Sequence, residues 1–292
     1  MDHIKLKARA KINLTLDVTG KLENGYHSIE SIMQSVSLYD EIYFKKTHDP
    51  GIKLKTNLPW LPADERNLVY KAINLILSRH GISEGVFADI EKHIPVGAGL
   101  GGGSADCATA IFAMNRLFGL GLSKAAMLSY CRELGSDIPF CLMRGTALAS
   151  GVGDELTPLP PPPDFYILLA KPPISVSTAF VYRNLDLAAI TDRPDTKAAV
   201  RAITDGDLPG LAAQFKNVLE TVTLKHFPRV AAIKERLAGT DAVGVLMSGS
   251  GPTVFAAYTD RAKAAGAAGI MKTELGLKEV FVTRLFNNTM KG

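Results

Sequence analysis

The chain has 292 residues, 47% hydrophobic and 21% charged, a composition that can bury the core of two ordinary domains or one large one. Its net charge of +4 comes from 33 Lys and Arg against 29 Asp and Glu with no long basic block, which argues against a stripe that reads nucleic-acid phosphates. No apolar run reaches the roughly 18–20 residues of a membrane span, and Cys107, Cys131 and Cys141 lack CxxC spacing, so they read as buried reduced thiols.

Residues 4–18 alternate apolar and polar positions like a strand, and no apolar leader or cleavage site precedes them. The expectation is a cytoplasmic protein with a small-molecule substrate and no nucleic-acid or membrane partner. Asn24-Gly25 is a turn signal. Residues 35–44, 52–56 and 86–91 read as strands. The spacing of Leu68, Ala72, Leu75 and Ile76 predicts a helix over 67–79, and helices follow over 104–118 and 123–134. Pro158 and Pro160–Pro163 disfavour helix and central strand, so the chain divides there, into 1–157 and 158–292. The second part begins with a strand over 165–170. Helices are expected near 195–203, 207–220, 228–238 and 260–275, and strands over 242–247, 253–258 and 279–285. Interleaved strands and helices predict an α+β fold of two sandwiches, each a sheet with helices on one side.

The strongest chemical signal is Pro95-Val96-Gly97-Ala98-Gly99-Leu100-Gly101-Gly102-Gly103-Ser104, which runs directly into the 104–118 helix. Glycines before a helix N-terminus bare backbone N–H groups, and the helix end adds partial positive charge. Together they make a phosphate cradle. It is not a Walker A loop, because no lysine follows the glycines. Gly97, Gly99 and Gly102 do satisfy G-x-G-x-x-G, but a dinucleotide fold requires an acid on a strand about 20 residues later, and Gly121-Leu122-Ser123-Lys124 enters a helix instead. A hydrolase elbow fails as well, since Asp106 stands where its last glycine belongs. Ser104 reads equally as a phosphate ligand and as the helix N-cap. A second glycine turn, Ser248-Gly249-Ser250-Gly251-Pro252, lies between two short apolar strands; alone it reads equally as a plain β-turn, and beside the first loop it suits a second cap over a bound polyphosphate or substrate.

Three segments in this order, Ala10–Leu16, Pro95–Ser104 and Gly244–Pro252, resemble the motifs of the GHMP kinases (galactokinase, homoserine kinase, mevalonate kinase and phosphomevalonate kinase). Lys11–Leu14, Asn24–Ser28, Gly101–Ser104 and Gly135–Phe140 narrow the resemblance to the branch of that family that phosphorylates the 2-hydroxyl of a cytidine-diphosphate ester of methylerythritol. The resemblance implies ATP and Mg²⁺ as cofactors, and a monomer or weak homodimer. It also implies an N-terminal α/β domain, a ferredoxin-like C-terminal α/β domain, and an active site in the cleft between them.

The resemblance also implies roles. Asp137, in Gly-x-Asp-x-Pro, is the candidate acceptor for the substrate hydroxyl, although by residue type alone it reads as a turn aspartate before Pro139. Lys11 is its partner. Pro95, Gly97 and Gly99–Ser104, with Leu100 among them, would hold ATP, with Asn67 near the adenine. Tyr26 would stack on the cytosine, His27 would bond its edge, and Tyr182 would stack on the other face of the base, with Thr178 nearby. Asn13 would meet the methylerythritol end, and Lys92 a phosphate. Asp154 reads as a turn residue, and no metal ligand is named. A GHMP kinase for another alcohol, such as mevalonate, and a GHMP-fold sensor without chemistry are the alternatives.

Overall fold

The structure is a computed structural model that describes residues 1–23 and 25–287. The N-terminal half is built on two long strands, β1 (His3–Lys21) and β2 (His27–Thr47), paired antiparallel along their length. Gly25 at φ +84° helps close their hairpin; Asn24 lies outside the described residues. β3 (Ile52–Thr56) pairs parallel with β4 (Gly85–Glu91), and β4 pairs with the C-terminal half of β2. The N-terminal half of β2 pairs instead with β5 (Thr146–Ser150), which forms a hairpin with β6 (Glu155–Leu159).

Four helices cover this sheet: α1 (Leu68–Arg79), α2 (Gly102–Phe118), α3 (Lys124–Leu134) and α4 (Ile138–Met143). α1 buries Val69, Ala72, Ile73, Ile76 and Leu77, a single stripe with helical spacing. α2 is apolar nearly all round and is the central helix, packed against α1, α3, α4 and both long strands. The hairpin β5–β6 and the helix α4 were not expected from the sequence. The first proline of the run is not connector: Pro158 pairs with Ala147 in edge strand β6, which extends to Leu159. Proline is tolerated there because an edge strand has one side without ladder partners.

The C-terminal half holds a four-stranded antiparallel sheet in the order β10 (Glu279–Arg284), β7 (Tyr166–Lys171), β9 (Val254–Tyr258), β8 (Gly244–Met247). Its helices are α5 (Thr178–Arg183), α6 (Thr196–Asp205), α7 (Leu208–Ala213), α8 (Glu220–His226), α9 (Pro228–Ala238) and α10 (Arg261–Thr273). One face of the sheet, with Leu168, Ala170, Val254 and Ala256, packs on α8, α9 and α10. The other face is covered too. Ile167, Leu169, Phe255 and Ala257 share a core with Ile12, Leu14 and Ile32 of the long strands and with Ala199 and Ile203 of α6. The two halves therefore meet through a continuous apolar layer.

The helix expected over 207–220 is broken between α7 and α8. Asn217 pulls the chain out of helical geometry. Its Nδ2 donates to the carbonyls of Met247 and Gly249, each at 2.8 Å, and its Oδ1 accepts from the Leu219 N–H at 3.0 Å. The Leu16 N–H donates to the Lys216 carbonyl, and the Val218 N–H donates to the Leu16 carbonyl. Past β10 the chain returns to the first sheet. The Phe286 N–H donates to the Ser35 carbonyl, and the Phe286 ring lies 4.1 Å from the Arg9 guanidinium.

Candidate active site

β1 slips register between Arg9 and Lys11 and again between Asn13 and Thr15. Bulges of this kind re-aim side chains out of the regular alternation. Here Ile12 and Leu14 stay in the shared core while Lys11 and Asn13 line a cavity of about 830 Å³ between the two halves. Lys11 is only 4% exposed. Its Nζ donates to Asn13 Oδ1 at 2.9 Å and stands 3.1 Å from Asp137 Oδ2. Asn13 Nδ2 donates to Ser31 Oγ, and that hydroxyl donates to the Thr15 carbonyl. The lysine is thereby held by groups that are themselves fixed.

Asp137 is the N-cap residue of α4, with Pro139 in the first turn. Its backbone is in the right-handed helical region, and its carboxylate makes no capping bond, which leaves it turned toward Lys11. The carboxylate is about one-third exposed, so one side faces the cavity. A buried ammonium beside a partly exposed carboxylate can orient a hydroxyl, accept its proton and balance charge that develops next to it.

The glycine loop forms the roof. Gly97, Gly99 and Gly101 all have positive φ. A β-carbon on Gly101 would come 2.9 Å from Lys11 Cγ, and one on Gly99 would come 2.2 Å from the Ser248 carbonyl oxygen. The Lys11 N–H donates to the Leu100 carbonyl, which ties the loop to β1. The second glycine turn lies directly against the first. Ser248 Oγ donates to the Gly99 carbonyl at 2.8 Å, and the Thr253 N–H donates to the Ala98 carbonyl. Ser104 is not the N-cap of α2, because the helix begins at Gly102 and left-handed Gly101 caps it. Ser104 sits inside the first turn, among N–H groups that have no intrahelical acceptor.

At the other end of the cavity the rings of His27 and Tyr182 lie 5.0 Å apart with a tilt of 36°. Tyr26 is largely exposed beside them, and Thr178 exchanges a 2.9 Å hydrogen bond with Ser250. Burial and the nearby Lys21 charge lower the His27 pKa, which favours its neutral imidazole. Burial pushes the Tyr182 phenol up, and the Asp137 charge adds to it. Lys11, Asn13, Tyr26, His27, Gly99, Gly101, Asp137, Thr178 and Tyr182 thus line one cavity.

Other expected residues lie elsewhere. Asn67 caps α1: its Oδ1 accepts from the Val69 N–H and its Nδ2 donates to the Pro62 carbonyl, so both ends of the amide are engaged. Lys92 is buried and paired with Asp40 and Asp106, so its ammonium is not offered to a phosphate. Pro95, Gly97, Leu100, Gly102, Gly103 and Ser104 belong to the loop or the helix end without lining the cavity. Asp154 lies in the β5–β6 turn, 3.8 Å from Arg132.

The model for the GHMP kinases N terminal domain matches residues 67–145, and the model for GHMP kinases C terminal matches residues 196–276. The 4-diphosphocytidyl-2-C-methyl-D-erythritol kinase of Lachnoclostridium phytofermentans is 48% identical over 288 residues, covering 99% of both chains. That of Acetivibrio thermocellus is 45% identical, covering 97% of this chain and 99% of its own. The chain belongs to the 4-diphosphocytidyl-2-C-methyl-D-erythritol kinase family of GHMP kinases. A crystal structure of a 4-(cytidine 5'-diphospho)-2C-methyl-D-erythritol kinase superimposes with a TM-score of 0.82 at 30% identity, covering 98% of this chain and all of the other. The homoserine kinase of Cytophaga hutchinsonii shares the fold at a TM-score of 0.78 and 20% identity, over 99% of this chain and 96% of its own.

Sequence reading missed three contributors to this GHMP kinase site. Asn217 ties β1 to the second glycine turn, and only its place in a broken apolar pattern hinted at a role. Asp40 and Asp106 hold Lys92 under the glycine loop. Asp106 was visible in the sequence as an acid in an otherwise apolar helix, which is the signal of a paired buried charge. Among the described residues no three His, Cys, Asp or Glu side chains gather into a metal cage.

Proposed function

We propose that this chain transfers the γ-phosphoryl group of ATP to the 2-hydroxyl of 4-diphosphocytidyl-2-C-methyl-D-erythritol, giving the 2-phosphate and ADP, in non-mevalonate isoprenoid synthesis. The observation that carries the reading is the convergence of the Lys11–Asp137 pair, the glycine loop and the His27–Tyr182 ring pair on one cavity. A volume of about 830 Å³ is in the range of small-molecule sites.

In this reading the reaction is one of positioning and charge. Asp137 accepts the proton of the substrate hydroxyl as its oxygen attacks phosphorus, and the bond to the ADP oxygen breaks. Lys11 holds the Asp137 carboxylate in place beforehand and balances charge on the transferring group afterwards. Gly99, Gly101, Gly102, Gly103 and Ser104 hold the ATP phosphates through backbone N–H groups, while Pro95, Gly97 and Leu100 set the path of the loop. Asn13 meets the methylerythritol end. The rings of His27 and Tyr182 already touch, so the cytosine lies against this pair rather than between them. Tyr26 supplies the second surface, and Thr178 borders the diphosphate. Asn67 and Lys92 act by fixing α1 and the loop.

The residues present fit a magnesium ion only as one that arrives with ATP. Mg²⁺ keeps several waters and leans on phosphates plus one or two carboxylates, and Asp137 is the carboxylate at the cavity that could serve. When bound, the ion would supply charge neutralisation between the phosphates.

The fold divides after β6, between Leu159 and Phe165. The three free, buried thiols suit a reducing compartment, and we place the protein in the cytoplasm as a monomer or weak homodimer. No helix among the described residues is long and apolar enough to cross a membrane.

The test is ADP release by purified protein with ATP and Mg²⁺, offering the cytidylated substrate and mevalonate separately. Turnover only with the former, with a new phosphate on the product, is expected. Turnover with mevalonate alone would remove the cytidine pocket from the reading. No turnover with either would raise the sensor alternative.

A further inference from the structure

Two carboxylates and one ammonium are buried together beneath the glycine loop. Asp40 on β2, Lys92 at the end of β4 and Asp106 on α2 are each 8% exposed or less. Lys92 Nζ donates to Asp40 Oδ2, and to Asp106 Oδ2 at 2.7 Å. Asp40 Oδ1 also accepts the N–H groups of His93 and Ile94, the residues that lead into the loop. Asp106 lies just past the loop, in the second turn of α2. The triad therefore grips the glycine loop at both ends. It also sits close under it: a β-carbon on Gly102 would stand 3.3 Å from Lys92 Nζ.

The charges do not balance if both acids are ionised. Asp40 has three donors on its oxygens, the ammonium and two backbone N–H groups. Asp106 has the ammonium on one oxygen only, and its Oδ1 is buried without a hydrogen-bond partner. A buried anionic oxygen without a donor is far costlier than a neutral hydroxyl in the same place.

We propose that Asp106 is a positioning residue that works in its neutral, protonated form. With that proton in place the triad is neutral and clamps the loop. Loss of the proton sets an uncompensated negative charge under the loop and weakens ATP binding. This rests on the reading of the loop as the ATP phosphate cradle.

The surroundings agree. Burial pushes the Asp106 carboxyl up to about 8, against the pull of Lys92 and with the repulsion of Asp40. Burial opposes the Lys92 ammonium, but Asp106 and Asp40 outweigh it, and its pKa is raised. Next to Asp106 on α2 stands Cys107, which is faced in turn by Cys131 on α3, Cys141 on α4 and Lys71 on α1, while Asp137, Lys11 and Arg144 face Cys141. Burial holds the thiols of Cys107 and Cys141 well above the usual thiol range, so they stay neutral in the window that matters.

The experiment is calorimetric titration of the whole protein with ATP and Mg²⁺ between about pH 7 and 9, without the second substrate, followed by steady-state kinetics. The wild-type Kd for ATP is expected to rise roughly tenfold between about pH 7.5 and 9, as the protonated fraction falls by that factor. The KM for ATP should rise with it while kcat holds level, because loop placement acts on ground state and transition state alike. Asp106→Asn is uncharged at every pH and should bind ATP with a flat profile. Asp106→Ser provides the same check should the amide fail to fold. A flat wild-type Kd, or a rise that persists in both variants, would overturn the inference and leave the kinase reading standing. Absence of ATP binding at every pH would overturn both.

Discussion

Ser248 and Gly99 are joined by a 2.8 Å hydrogen bond, from the serine hydroxyl to the glycine carbonyl, across 149 residues of chain. Two glycine turns from opposite halves of the molecule are thereby locked into a common wall. Gly99 has no room for anything larger. Its φ is +74°, and a β-carbon would come 2.2 Å from the Ser248 carbonyl oxygen and 3.0 Å from that of Gly251. Both obstacles are backbone, which cannot swing aside like a flexible side chain.

Gly99→Ala is therefore expected to do two things. The left-handed backbone alone costs about 1–2 kcal/mol for a residue with a β-carbon. The clash should also push the two turns apart, so affinity for ATP falls even where the protein remains folded. Calorimetric ATP binding together with a urea unfolding curve checks this. Unchanged binding with unchanged stability would mean that the two turns are not in contact.

The Lys11–Asp137 pair invites a more local test. Asp137→Asn retains the shape and an oxygen beside the Lys11 ammonium but removes the proton acceptor. General base contributions are typically 10²–10⁴-fold, so kcat is expected to fall by about that factor with ATP affinity largely intact. Single-turnover kinetics separate the chemical step from release. An equal loss of ATP binding would make Asp137 part of the nucleotide site instead.

Tyr26 is 66% exposed at the mouth of the cavity, next to the tilted His27–Tyr182 pair. An exposed aromatic side chain on the lining of the cavity suits a stacking surface for a base, and stacking on such a ring is worth about 1–3 kcal/mol. Tyr26→Ala should raise the KM for the cytidylated substrate about 5–150-fold, with little change in the KM for ATP. Equal changes in the two constants would remove the residue from the cytidine end.

Much of this site was legible in the sequence, because glycine spacing and short motifs are local properties. Positive φ at Gly97, Gly99 and Gly101 is written in residue type. The helices α1, α2 and α3 were legible for the same reason, since their apolar period is local. What was hidden depends on contacts distant in sequence. The segment around Asn217 has helical composition, yet tertiary hydrogen bonds to Met247 and Gly249 override it. Edge strand β6 was hidden by Pro158, whose place only the ladder partner β5 explains. The place of Lys92 could not be read either, because Asp40 meets it from 52 residues away.

The C-terminal return to the first sheet was likewise invisible in sequence. The Phe286 ring, 4.1 Å from the Arg9 guanidinium, docks the end of the described chain on the N-terminal half. The Phe286→Ala change removes that cation–π contact and its apolar cover. Exposed to partly desolvated pairs of this kind are worth about 0.5–2 kcal/mol. Unfolding in urea should show a loss of that order or somewhat more, with kcat unaffected, since the ring does not line the cavity. A change in kcat without a change in stability would place the tail in the catalytic machinery.

Asp106 makes a prediction for stability that is independent of any ligand. Its carboxyl is pushed up to about 8 in the folded protein, first by burial, from an ordinary value of 3.8. Between these two values the native protein holds a proton that the unfolded chain has released. The native state binds more protons, so stability falls as pH rises. The contribution of Asp106 is fully present below about pH 4 and is lost progressively up to about pH 8. The limiting slope for one proton is about 1.4 kcal/mol per pH unit. Asp106→Asn has no such proton, so the unfolding free energy of the wild type minus that of the variant should decline across this window, approaching that slope. Urea unfolding of both proteins at about pH 5, 6, 7 and 8 measures the difference directly, and groups common to the two cancel. A difference that stays level would mean that Asp106 is ionised in the folded state. The Lys92 ammonium would then face two carboxylates, one with a bare buried oxygen, and the clamp under the glycine loop would be the costlier charged form.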